Sequence, residues 1–105
     1  MSEEMVTKCF QLITYVGTAR SCFINAIHKA KEGAYEEAEK LIKEGNEAFN
    51  QGHDVHLDLL AKEANGESSE SGLLLMHAED QLMSAEGFHI IADEFIAVYK
   101  KLNGE

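Results

Sequence analysis

Within Met76-His77-Ala78-Glu79-Asp80-Gln81-Leu82-Met83, a histidine is followed three residues later by an acid and four residues later by an amide. Residues three and four apart share a helix face, so on a helix His77, Asp80 and Gln81 project together. Asp80 and Gln81 interrupt a pattern that otherwise reads as core, and such local inconsistencies are where function tends to sit. Leu73, Leu74 and Met76 precede the histidine, and Leu82 and Met83 follow it. A partly exposed imidazole with that apolar rim suits phosphoryl acceptance: the rim docks a partner protein and keeps water from a labile P–N bond. An unperturbed imidazole titrates near pH 6.5, so above about pH 7 its neutral nitrogen is available as a nucleophile. Asp80 has two readings. It orients the imidazole N–H, or copies from several subunits converge on a symmetry axis, where like charges need a bound cation.

The other histidines carry weaker signals. His28 lies near the charged end of the first helical segment and reads as structural or solvated. His53 and His56, with Asp54 and Asp58, have the i,i+3 spacing of a helical chelate, but no third ligand is indicated and a helix-surface or interfacial role is the better reading. His89 sits among Phe88, Ile90 and Ile91 and reads as a packing residue.

Three helices must position these groups. Ser2 is a plausible N-cap, and Glu3 and Glu4 favour the positive helix end. Met5, Cys9, Leu12, Val16, Ala19, Phe23 and Ala26 form one apolar row; Val6, Phe10, Ile13, Gly17, Ile24 and Ile27 form another beside it. Two adjacent rows make a face wider than one neighbour covers. Lys29, Lys31 and Gly33 give the stop signal. The second helix is expected from near Ala34 to near Ala64, with Ala38, Leu41, Gly45, Ala48, Phe49, Gly52, Val55, Leu59 and Leu60 spaced as in bundle packing. Gly45 and Gly52, seven apart, mark a close helix approach. Residues 65–72 read as a loop. Leu73 to Leu102 reads as a third helix with apolar residues on nearly every side, and that excess implies self-association.

Composition narrows the function. In 105 residues there is no proline, hydrophobic content is 45% and charged content 27%, the range of one ordinary globular domain spanning 1–105. Nineteen acidic against nine basic residues, a formal charge of −10, argue against nucleic acid and against an anionic membrane surface. Cys9 and Cys22 lie about 20 Å apart along one helix and cannot bridge within it; two unpaired thiols suit a reducing compartment. With no secretory pattern and no span-length apolar run, the expected location is cytoplasmic, without direct membrane insertion. No glycine-rich phosphate loop is present, so no nucleotide is expected.

The chain resembles the lactose/cellobiose-type IIA components of the bacterial phosphoenolpyruvate-dependent sugar phosphotransferase system. The resemblance rests on Gly17-Thr18-Ala19-Arg20-Ser21, Ala30-Lys31-Glu32-Gly33, Ala38-Glu39-Lys40-Leu41-Ile42, the Glu/Ser/Gly loop, and above all the block from Leu73 to Ala85. It implies an all-α fold: a three-helix antiparallel protomer assembling into a homotrimeric nine-helix bundle. It implies that His77 is the phosphoryl-accepting nucleophile, through Nε2, and that Asp80, one from each of three subunits, holds a metal ion, taken to be magnesium (Mg2+), on the trimer axis. It implies protein-to-protein phosphoryl transfer: HPr as donor, a cysteine of a IIB component as acceptor, and uptake of a β-linked disaccharide of the lactose, cellobiose or chitobiose class through a membrane-bound IIC component. Some relatives carry histidine where this chain has Gln81.

Two other classes compete. A histidine phosphotransfer domain of two-component signalling typically follows its histidine with Lys-Gly at i+3 and i+4, where this chain has Asp80-Gln81. A non-catalytic interaction or metal-binding bundle would instead use His53, His56 and their acidic neighbours.

Overall fold

The computed structural model describes residues 2–66 and 72–104. Three long helices account for nearly all of them: α1 Glu3–Lys31, α2 Tyr35–Ala64 and α3 Leu73–Leu102. No strand occurs among the described residues. The expected loop falls mostly on residues 67–71, outside the described set.

The helix ends follow from local chemistry. Ser2 is the N-cap of α1, and its hydroxyl accepts the backbone N–H of Met5 at 3.1 Å. Lys29 and Lys31 occupy the last turn of α1, and Gly33 takes the positive φ of 82° that turns the chain toward α2. The start of α2 lies one residue later than Ala34, because Ala34 itself has non-helical angles of −88° and 69°.

Cross-helix contacts fix the topology as up-down-up. Lys8 pairs with Asp58 and Lys62 with Glu4, so α1 and α2 run antiparallel. Tyr35 donates its hydroxyl to the Tyr99 carbonyl at 3.1 Å and Lys100 pairs with Glu39 at 3.2 Å, so α2 and α3 are antiparallel too. Arg20 meets Ser84 and Phe23 meets His89, which makes α1 and α3 parallel. Helix α1 is the middle element: it packs closely on both others, whereas α2 and α3 touch sparingly.

The core follows the first apolar row of α1. Met5, Cys9, Leu12, Val16, Ala19, Phe23, Ala26 and Ala30 are buried, facing Ala38, Ala48 and Leu59 of α2 and Ala78, Leu82, Ala85, Ala92 and Ile96 of α3. Gly45 and Gly52 let α2 come close. A Cβ on Gly45 would lie 2.6 Å from a ring carbon of Phe23, and one on Gly52 would lie 2.8 Å from Cγ1 of Val16. The second row of α1 is only half covered, with Phe10 exposed by 55%. Leu60 of α2, expected inside, is also exposed; the sparse α2–α3 contact leaves nothing to cover it.

Candidate functional site

The site sits in the second turn of α3, and that helix begins differently from the others. Helices α1 and α2 each carry two glutamates in the first turn, Glu3 with Glu4 and Glu36 with Glu37. Helix α3 has none there, and its N-cap Gly72 offers no side-chain cap. The first turn of α3 therefore brings no acidic side chain to its positive end, one turn before His77.

The inward arc of α3 is Ala78, Leu82, Ala85, Ala92 and Ile96. The opposite arc carries Leu73, Met76, Met83, Ile90 and Val98, all exposed, with Asp80 among them. His77, Gln81, Ser84 and Phe88 make a flank between the two arcs, at i, i+4, i+7 and i+11. That flank faces α1, since Ser84 and Phe88 both meet Arg20. His77 is exposed and Gln81 half-buried. Among the described residues neither His77 nor Asp80 has a hydrogen-bond or ion-pair partner. Asp80 therefore does not orient the His77 ring within the protomer. The alternative, in which Asp80 acts across subunits, keeps a carboxylate in the middle of an exposed apolar arc.

The remaining histidines are engaged elsewhere. The Nε2–H of His56 donates to Oε2 of Glu79 at 2.9 Å, half-buried between α2 and α3. His53 stacks on Phe49 with centroids 6.2 Å apart. These engagements are of the surface and interfacial kind that the weak i,i+3 signal left as the better reading, and no cluster of three or more metal-ligating side chains occurs among the described residues. His89 is the packing residue its neighbours imply: it lies flat on Phe23 at 4.6 Å and reaches Asp93 at 3.4 Å. His28 is exposed in the last turn of α1. Both cysteines are free thiols. Burial pushes the Cys9 thiol up, with Glu79 adding to it, and burial followed by Glu44 does the same for Cys22; neither is a poised thiolate.

Two contacts at the site have no sequence signature. One is His56–Glu79, 23 residues apart. The other is Arg20, whose Nε–H donates to Ser84 Oγ at 3.2 Å and whose guanidinium lies 4.9 Å from the Phe88 ring centroid. Their sequence separations conceal them; only Arg20 gives a hint, as the sole arginine of the chain.

The family profile for the lactose/cellobiose-specific IIA subunit of phosphotransferase systems matches residues 7–100. The chain belongs to that family. It is 38% identical over 103 residues to an oligo-β-mannoside-specific EIIA component of Bacillus subtilis, covering 98% of this chain and 92% of the relative. It is 39% identical over 102 residues to a lichenan-specific IIA component of the same organism, covering 97% and 93%. Its fold matches the crystal structure of a cellobiose-specific enzyme IIA from Bacillus anthracis with a TM-score of 0.94 and 39% identity, over 100% of this chain and 95% of that one.

As a IIA component, the chain is a sugar-specific member of a phosphotransferase system, and the two-component alternative falls away. Among its described residues, no helix is long and apolar enough to cross a membrane.

Proposed function

We propose that this IIA component accepts a phosphoryl group on Nε2 of His77 from phosphorylated HPr and passes it to a cysteine of a IIB component. The observation that carries the reading is His77 itself: exposed, unpartnered among the described residues, and placed beside an exposed apolar helix arc. In the first transfer the P–N bond of HPr's phosphohistidine breaks as the P–N bond to His77 forms. In the second, the IIB sulfur attacks as the His77 nitrogen leaves. Both are in-line displacements between two nucleophiles, and catalysis is mostly positioning. The apolar arc excludes water from the bond, and the positive end of α3, whose first turn holds no acid, favours the added negative charge. The sugar is a β-linked disaccharide of the lactose, cellobiose or chitobiose class, and the transfers take place in the cytoplasm.

The working unit is a homotrimer, a nine-helix bundle with the outward arc of α3 turned to the axis. Two features support it. Met76 and Met83 are exposed by 62% and 64% in the protomer, an apolar surface of the kind that self-association covers. Gly87 lies on the same arc with nothing within 4 Å of where its Cβ would be, so a helix-interior glycine costing about 1 kcal/mol has no reason within the protomer. Close approach of a second copy supplies one.

Asp80 suits a magnesium ion: a hard oxygen donor, exposed, with no internal partner among the described residues, and repeated by symmetry. Three copies would hold the ion, whose contribution there is to neutralise three converging carboxylates.

Intact-protein mass after incubation with phosphoenolpyruvate, enzyme I and HPr tests the function. Wild type should gain one acid-labile phosphoryl group, and His77→Ala none while staying folded and oligomeric. A gain in both would mean another histidine is the acceptor, and no gain in either would favour an interaction bundle.

A further inference from the structure

We infer that Arg20 is a positioning residue for the phosphoryl group on His77, holding that anion in the seam between α1 and α3. The inference rests on the phosphoacceptor reading of His77. Arg20 is the sole arginine in a chain with nine basic and nineteen acidic residues. Four lysines have carboxylate partners: Lys8 with Asp58, Lys29 with Glu32 and Glu37, Lys62 with Glu4, and Lys100 with Glu39. Arg20 is half-buried, yet among the described residues no carboxylate pairs with it. It is held by a hydroxyl and a ring face instead, through Ser84 and Phe88. A cation taken partly out of water without an anion is an unfavourable arrangement. It becomes favourable when an anion arrives.

The placement says which anion. Ser84 and Phe88 continue the flank of α3 that His77 begins. Ser84 lies seven residues beyond His77, about 10 Å along the axis. Helices α1 and α3 are parallel, and helical side chains lean toward the N-terminus of their own helix. The two side chains therefore lean the same way along the seam, with Arg20 anchored at Ser84 and Phe88 on the C-terminal side of His77. The bond to Ser84 uses one of five guanidinium N–H groups, leaving the terminal fork that matches phosphate oxygens. A dianion added to a chain of formal charge −10 finds the chain's sole arginine on the acceptor flank. Ser84 and Phe88 keep the guanidinium aimed before the phosphoryl group arrives.

The test compares wild type, Arg20→Gln and Arg20→Lys in the oligomer, each equilibrated with phosphorylated HPr. Three quantities are read: the transfer equilibrium, the phosphorus NMR titration of the phosphohistidine, and the thermal midpoint with and without phosphorylation. Arg20→Gln should shift the equilibrium about tenfold toward phosphorylated HPr, as expected for losing one charge at this range. It should also raise the pH at which the phosphoryl group titrates, and remove the extra thermal stability that phosphorylation confers on wild type. Arg20→Lys, which keeps the charge and loses the fork, should recover part of each. A role confined to clamping α1 to α3 would lower both thermal midpoints equally and leave the equilibrium and titration unchanged; that result overturns the inference. Should Arg20→Gln fail to fold, Arg20→Lys decides alone: an unchanged equilibrium and titration overturns it. A wild-type protein that takes no phosphoryl group would instead remove the reading of His77, and the inference with it.

Discussion

At the residue scale, two ion pairs contribute to how the protein responds to acid. Lys62 meets Glu4 and Lys8 meets Asp58, joining the start of α1 to the end of α2. The lysine hydrogen bond, with the lysine charge behind it, holds each carboxyl below its ordinary value of 4.5 for Glu4 and 3.8 for Asp58. A depressed folded value means that the stabilisation is complete above those ordinary values and is lost as pH falls through the lower, folded ones. Denaturation midpoints should therefore decline below about pH 4, and the double variant Lys8→Met, Lys62→Met should decline less steeply over the same interval. The pairs are exposed, so the effect is small and shrinks in salt. None of this was legible in the sequence. Lys8 and Asp58 are 50 residues apart, and only the antiparallel register brings them together. His77 and Gln81 were legible as a group because one helix carries both and its period puts them on one flank, whereas Asp80, read with them, falls on the neighbouring outward arc.

At the element scale, the contact between α1 and α2 depends on missing side chains. Gly45→Ala gains about 1 kcal/mol in helix propensity, but its methyl would lie 2.6 Å and 2.9 Å from ring carbons of Phe23. Phe23 cannot yield freely, because His89 of α3 stacks on its ring at 4.6 Å. Overpacking of this kind costs about 1–3 kcal/mol, so Gly45→Ala should be net destabilising in urea titrations despite the better helix former. The seven-residue spacing of Gly45 and Gly52 already marked this approach. The helix ends were readable for a similar reason, since Ser2 and Gly33 act on their immediate neighbours. Leu60 was misplaced because its burial depends on how near α3 lies to α2, and no local pattern records that distance.

At the scale of the whole molecule, the protomer is a rod of 55 × 19 × 16 Å with a radius of gyration of 16.3 Å, against about 13 Å for a compact chain of this length. Three helices side by side cannot surround one another, which is why so many apolar residues of α3 remain outside. If those residues meet around an axis, Asp80 is the unfavourable member of the contact, and replacing it with leucine removes charge repulsion while adding apolar area. Asp80→Leu should keep the trimer by sedimentation and lose magnesium binding by calorimetry; a monomeric variant would refute the arrangement. The position of α1 between the other two helices has a consequence for synthesis. Helices α1 and α2, with their glycine-lined contact, leave the ribosome first and can pair before α3 exists. Helix α3 follows them and carries both His77 and the exposed apolar arc. A chain cut short before α3 therefore lacks the proposed nucleophile and the exposed apolar arc at once, and with them both the transfer and the association proposed above.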